Sequence, residues 1–419
     1  MAKGSQPVVA AGRRSRPPTR TGRKLLLALS VVLLTVAMAA GCSSSKSSGG
    51  SGSASGNGKA IKIAIVADLT GPAPAIGSAA ASFQAAIAQI NAKGGINGHK
   101  INTTIHDTTG TSTGVATATR AAIEDHPDAL FITSNMTTPA LPPIFQAKIT
   151  TMSIPAVKTA LSPTPNPYFF TTQPDASLIG GVLANGLIRV AGGSVQGKKI
   201  AVVTIKNSQN EIYRADAKKA LTAAGATIVA DFERELTATT FTSEAQKIVS
   251  GGAQYVLDIS DLTIANTLSS LHTAGYKGPI VTGNGLATPQ FFDLTKDPTF
   301  NAFTVYKLPW ETPEYINALK STGFYGKAQP DSNALAPGGW AGAYALAMAF
   351  QKCGGPCSGL DLAHALETMG PYTPPEGIAF APFHYTSTSH FGATAANFYV
   401  WSTSENKPIP TGDPIKVTG

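Results

Sequence analysis

The sequence predicts an α/β protein, with parallel sheets covered by helices on both faces and divided between two lobes. Three observations carry this. From residue 61 to residue 282, short β-rich runs alternate with segments of helical period, the rhythm of buried parallel sheets. Gly, Pro and Asn-Gly punctuation separates the runs. About 360 residues follow position 58, enough for two such sheets rather than one.

The elements follow in order. IKIAIVA at 61–67 is a β-rich run, and Thr70-Gly71-Pro72 turns the chain. Phe83, Ala86, Ile87 and Ile90 then fall at i, i+3, i+4 and i+7, one face of a helix. Gly94-Gly95 ends that helix, and Asn97-Gly98 makes a tight turn into a strand at 101–106. The unit repeats as a helix at 115–124 with a strand at 129–133, then a helix at 178–190 with a strand at 199–205. A helix near 215–224 precedes a strand at 227–232, and a strand at 255–259 leads through a helix near 264–274 to a strand at 280–282. The alternation restarts at 168–174, at 303–309 and near 372–384, beyond a helix carrying Leu362 and Leu366. Three restarts imply lobes built from discontinuous pieces that rotate about a shared hinge.

Composition removes several classes of function. With 43% hydrophobic and 13% charged residues, the chain is too apolar for a disordered protein. The net charge of +8 points toward nucleic acid or a membrane surface, but seven of the 32 Lys and Arg residues precede position 42, where no acid stands. The remaining 25 basic residues face 24 acidic ones, so no polyanionic partner is implied.

The first 58 residues read as an address. A basic segment ending at Lys24 runs into an apolar stretch at 25–40, interrupted only by Ser30 and Thr35, and then Ala39-Ala40-Gly41-Cys42. Residues 1–41 have the layout of a secretory signal. With Cys42 at the cut site they resemble the lipobox of bacterial lipoproteins, in which the thiol is alkylated by diacylglycerol before cleavage. That family usually has Leu where Ala39 stands. The other reading, an uncleaved anchor, needs a longer apolar run. Residues 43–58 hold eight Ser and five Gly, a tether with a reach of roughly 20–24 Å. The product is expected outside the cell membrane, held by lipid at Cys42, with residues 42–58 as the tether.

Cys353 and Cys357 remain, separated by Gly-Gly-Pro. No matching Cys/His pair completes a zinc site, and in an oxidising compartment a local disulfide is expected, contributing about 2 kcal/mol at most. Two free thiols are the alternative.

The run at 61–101, with its strand, LTGP, the Gly before the first helix and INAKGGINGHKI, resembles the opening of the leucine/isoleucine/valine-binding proteins. These are type I periplasmic solute receptors of ABC transporters. Weaker likeness continues through 153–155, 168–173, 223–225 and 344–350. The resemblance implies two Rossmann-like lobes joined by three crossover strands, 59–170 plus 307–385 and 171–306 plus 386–419. It implies one small solute in the cleft between them, a membrane permease and ATPase as partners, no cofactor, no metal and no catalysis. A lipid-tethered sensor reporting solute to a membrane signalling partner is the first alternative, and a secreted α/β enzyme the second.

Ligands of open parallel sheets bind beyond the carboxyl ends of strands. After the strand at 129–133 comes Ser134-Asn135-Met136-Thr137-Thr138-Pro139. Ser134 matches the family serine that grips the solute's carboxylate; a plain helix cap is its alternative. Where amino-acid binders offer a Thr after the next strand, this chain reads Pro155-Ala156-Val157-Lys158-Thr159. Their tyrosines fall near Ile76, Gln209 and Asp261, and the acid that pairs with the α-ammonium falls near Asn284. A neutral amide cannot supply that charge-assisted bond. Asp261 takes over the role or caps a helix. The expected solute is therefore small and polar or anionic, of branched-chain amino acid type or related, held by Ser134, Asn135, Gln209, Asp261 and Asn284.

Other motifs lead nowhere. GGSVQGKK at 192–199 nearly spells a phosphate-binding loop but ends in Lys and precedes its strand. The seven His residues are scattered, and His384 and His390, with no acidic or Cys partner at metal spacing, read as solvated loop residues. Trp310 and Trp340 read as core residues, with stacking on a solute as the alternative.

Overall fold

The computed structural model describes residues 58–417 other than 73, 155, 156, 162, 163, 236, 261, 262, 284–301, 307, 310, 311, 330–334, 403 and 406; at 176, 208, 209, 302–306, 401, 407 and 408 only the backbone is described. Cys42 and the segment 1–57, and with them the signal and tether, lie outside the described residues.

Two sheets organise the chain. The first contains β1 (Ile61–Ala67), β2 (Ile101–Asp107), β3 (Ala129–Thr133), β4 (Thr151–Ser153) and β5 (Phe169–Thr171), in the order β2-β1-β3-β4-β5, all parallel. The second contains β6 (Lys199–Ile205), β7 (Thr227–Arg234), β8 (Tyr255–Ile259), β9 (Ile280–Thr282) and β10 (Ala302–Tyr306), which run parallel. β11 (Ala395–Ser402), β12 (Lys407–Pro410) and β13 (Ile415–Lys416) extend it antiparallel, giving the path β12-β11-β10-β9-β8-β6-β7. The parallel expectation thus holds through β10. β12 runs antiparallel to β11 because the connection between them is short, and parallel neighbours need a long crossover.

Local sequence explains the central strands. β3 is buried at every position and β1 at all but Lys62, as strands covered on both faces must be, whereas edge strand β2 mixes buried and exposed positions. The Asn97-Gly98 turn adopts positive φ at both residues, 49° and 85°, and closes a bridge between Ile96 and His99. The helix Ser78–Ala92 buries Phe83, Ala86, Ile87 and Ile90, the predicted stripe.

The chain passes between the sheets three times. After β10, the helices Pro313–Ser321, Ala336–Cys353 and Gly359–Thr368 place Tyr315, Trp340, Leu346 and Leu362 in one core with Ile63 and Phe131 of the first sheet. Trp340 is fully buried, edge-on to Tyr315 with ring centroids 5.4 Å apart, and belongs to the core; Trp310 lies outside the described residues. Two of the passages run side by side, because Thr171 donates its amide to the His390 carbonyl (3.0 Å) and accepts from the Gly392 amide (2.9 Å).

His390 corrects the sequence expectation. It is fully buried, with Nε2 2.9 Å from Glu367 Oε1, a partner 23 positions away that the helix Gly359–Thr368 brings in. GGSVQGKK forms the loop leading into β6, as read. Cys353 and Cys357 are joined in a disulfide, with Cα atoms 6.3 Å apart. Alkylation of the unreduced protein is expected to leave both residues unmodified; a mass increase at the two positions would show free thiols instead.

Candidate functional site

In each sheet the chain leaves its first strand for opposite sides, so crevices open at the carboxyl ends of β1 and β3 and of β6 and β8. These ends carry concentrated polar groups on an otherwise apolar framework.

At the first crevice the organising group is Asp68, fully buried directly after β1. Its carboxylate accepts from the Thr108 hydroxyl, beyond β2, and from the Asn135 amide at 2.9 Å, beyond β3. One side chain thereby ties three strand-end loops together. Ser134 is fully buried, and its Oγ accepts from the Met136 amide at 3.1 Å, while its carbonyl accepts from the Thr137 hydroxyl at 3.1 Å. Its hydroxyl proton remains uncommitted among the described residues. The Asn135 side chain, half-buried, likewise has no hydrogen-bond partner among them.

Asp107, at the end of β2, fixes the loop after β1. Its carboxylate accepts from the Thr70 hydroxyl at 2.6 Å and from the amides of Leu69, Thr70 and Thr109 at 3.0, 3.3 and 2.9 Å. Burial pulls this carboxyl upward, but the Thr70 hydroxyl and the amides of Thr109, Leu69 and Thr70 together outweigh it and hold the group below the ordinary carboxylate value. The loops so fixed leave Leu69 and Met136 exposed. Lys158, just past β4, is half-buried and has no ion-pair or hydrogen-bond partner among the described residues. A groove of about 650 Å³ between β2 and the helix Ser112–Glu124 includes His106, Asp107 and Thr111. It runs along the outer strand of the sheet, away from the crevice between β1 and β3.

At the second crevice, Asn207 caps the helix Ser208–Ala223 by accepting from the Asn210 amide at 2.7 Å. Asn210, almost fully buried, donates from Nδ2 to the Ile259 carbonyl at 3.0 Å and so links the ends of β6 and β8. Asp258 accepts from the Ser260 amide at 2.9 Å, and its carbonyl accepts from the Gly283 amide at 2.8 Å, linking β8 to β9. Arg234, at the end of β7, is buried and donates to Thr267 Oγ1 at 2.7 Å and to the carbonyls of Ala238 and Thr240 at 3.2 and 3.3 Å. Burial lowers its pKa, against the opposing charge of Asp258.

Of the residues named from sequence, Ser134 and Asn135 stand together after β3. Gln209 stands in the first turn of the helix after β6, its side chain outside the described residues, and Asp261 and Asn284 lie outside them altogether. Sequence reasoning passed over Asp68, Asp107, Asn210 and Asp258. The available signal for Asp68 was an acid immediately following a strand that is apolar at every position but Lys62. Among the described residues, no group of three His, Cys, Asp or Glu side chains is placed to hold a metal, and no helix is long and apolar enough to cross a membrane.

The two sheets exchange the chain three times and carry polar groups at their strand ends. The chain belongs to the periplasmic binding protein family, whose model matches residues 60–406, and is thus a binding protein rather than an enzyme. It is similar in fold to a branched-chain amino acid ABC transporter protein from Thermus thermophilus with bound valine, at 17% identity and a TM-score of 0.72, covering 85% of this chain and 96% of that one. A fatty acid ABC transporter substrate-binding protein from Thermomonospora curvata gives 19% identity and a TM-score of 0.70, covering 85% and 92%. An R. palustris ABC transporter solute-binding protein in complex with 4-hydroxybenzoate gives 16% and 0.71, covering 86% and 98%. No curated protein sequence matches the chain.

Proposed function

We propose that the protein is an exported receptor, anchored to the outer face of the cell membrane by lipid on Cys42, that closes over a small carboxylate and delivers it to the permease and ATPase of an ABC importer. The observation that carries this reading is the pair of crevices, at β1/β3 and β6/β8, on sheets joined by three chain passages. A solute hydrogen-bonded to both walls favours the closed arrangement and shifts the population toward it. The lobes are 59–170 plus 307–385 and 171–306 plus 386–419, and the contacts are Ser134, Asn135, Gln209, Asp261 and Asn284.

Among the described residues of the first crevice, no carboxylate is left over to pair with an ammonium. The buried carboxylate of Asp68 is spent on protein donors, Asp107 is spent on the loop after β1, and Lys158 is a cation without a partner among the described residues. The valine and 4-hydroxybenzoate bound by the similar structures share a carboxylate and differ in the ammonium. A thermal-shift panel of aliphatic and aromatic carboxylates is expected to raise the unfolding temperature, by mass action equivalent to about 2.7 kcal/mol at one hundred times Kd. Calorimetry with leucine, isoleucine and valine is expected to show no micromolar binding; a micromolar Kd for any of them refutes the solute class. Small-angle scattering with a bound carboxylate is expected to show a smaller radius of gyration, and an unchanged radius at saturation refutes closure.

A further inference from the structure

From residue 42 onward the chain carries methionines at 136, 152, 348 and 369, and they differ in exposure. Met152 is fully buried, and Met348 and Met369 are half-buried against the core of the first sheet. Met136 is 38% exposed, in the turn that follows β3. Its thioether is nonetheless engaged, because Sδ accepts from the Ser112 hydroxyl at 3.2 Å. Ser112 is the first residue of the helix Ser112–Glu124, whose N-cap Thr111 accepts from the Gly114 amide at 3.0 Å. The first turn of a helix presents N–H groups that have no intrahelical carbonyl, and its dipole favours a negatively polarised atom. A thioether sulfur is a weak acceptor and draws little from that setting. The backbone of Met136 sits at a junction. Its amide donates to Ser134 Oγ at 3.1 Å, and the preceding Asn135 amide donates to Asp68 Oδ2 at 2.9 Å. The sulfur contact ties this turn to the helix Ser112–Glu124.

We propose that Met136 is a site of reversible oxidation by hydroperoxides, and that its sulfoxide, held by the Ser112 hydroxyl, fastens the turn after β3 to the amino end of the helix Ser112–Glu124. The sulfur lone pair attacks one peroxide oxygen; the S–O bond forms as the O–O bond breaks. The transferred oxygen gives its proton to the departing one, which leaves as water, or as an alcohol from an organic hydroperoxide. Sulfur loses two electrons and the peroxide gains them. The sulfoxide oxygen carries substantial negative charge and accepts more strongly than the thioether, beside a hydroxyl donor already in place. Exposure selects the site: peroxide reaches Met136 in the folded chain, whereas Met152 is closed to solvent. The change from apolar to polar costs no core packing at an exposed position. Ser134 and Asn135 are proposed solute contacts, so on that reading the same oxidation sets one wall of the crevice; the modification itself stands without it.

The test needs no solute. The mature chain is treated with hydrogen peroxide, and peptide mass spectrometry follows the gain of one oxygen at each methionine. Met136 is expected to oxidise ahead of Met348 and Met369, with Met152 left unmodified. Hydrogen exchange then reads the turn: protection at the Asn135 and Met136 amides is expected to rise by roughly two- to tenfold on oxidation, the range of one hydrogen bond. Ser112→Ala keeps the exposed sulfur and removes its donor, so Met136 is expected to oxidise there with no rise in protection. Met136→Leu is expected to show no change at the Asn135 amide on peroxide treatment, which isolates the effect from the other methionines. Methionine sulfoxide reductases acting on both epimers are expected to return wild-type protection to its starting level. Oxidation of Met348 or Met369 ahead of Met136, level or lower protection in the oxidised wild type, or the same rise in either variant would each overturn the proposal. So would protection that stays high once mass spectrometry shows the oxygen removed.

Discussion

Replacing Gly339 with alanine is expected to lower the unfolding free energy by about 3 kcal/mol, a large share of the 5–15 kcal/mol that holds a typical domain. The helix Ala336–Cys353 lies against the helix Ser78–Ala92, and a Cβ at Gly339 would sit 1.9 Å from the Ala79 carbonyl oxygen and 3.0 Å from the Phe83 nitrogen. Those are backbone atoms, so no side chain can rotate away. The helices must part, and parting them opens the packing of Trp340 and Phe83, both fully buried. Alanine's better helix propensity returns about 1 kcal/mol, well short of the loss. Urea denaturation measures the difference. Gly181, where a Cβ meets nothing within 4 Å, serves as the control: Gly181→Ala is expected to be neutral or slightly stabilising. Equal midpoints for the two variants would show that the helix pair tolerates separation.

The second sheet layer uses the same device. A Cβ at Gly180 would lie 2.8 Å from the Tyr213 carbonyl oxygen, where the helix Ala176–Val190 meets the helix Ser208–Ala223. Neither glycine stands out in the sequence, because close approach of two helices leaves only a small residue as its trace. By contrast, β1 and β3 were legible, since burial on both faces demands a nearly continuous apolar run, and so was the turn at Asn97-Gly98. β4 and β5, three residues each, are too short to show a period. The candidate site divides in the same way. Ser134 and Asn135 were visible as polar residues following an apolar strand, a local pattern. Asp68 joins partners 40 and 67 positions away, and His390 meets an acid 23 positions away, so neither constellation exists until the sheet assembles.

Replacing Asp68 with alanine is expected to cost about 3–4 kcal/mol and to disorder the first crevice before the rest of the molecule unfolds. The carboxylate holds the Thr108 hydroxyl and the Asn135 amide, and hydrogen bonds to an ionised group in a buried setting are worth about 1.5–3 kcal/mol each, less what the cavity regains by relaxing. The Thr108 hydroxyl is left in a space closed to water, which is why the loss exceeds that of a surface pair. The local consequence bears on function. The Asn135 amide anchors the start of the Ser134–Thr137 turn, so its release frees the turn that sets the Ser134 hydroxyl at the carboxyl end of β3. Asp68→Asn sharpens the test: it keeps an acceptor for one donor but sets its own amide hydrogens against the other, and is expected to lie between wild type and alanine. Chemical denaturation gives the stabilities, and hydrogen exchange at Asn135 and Met136 gives the local effect. If the alanine variant loses stability while protection at those two amides persists, Asp68 supports the core alone and the Ser134 turn is held by something else.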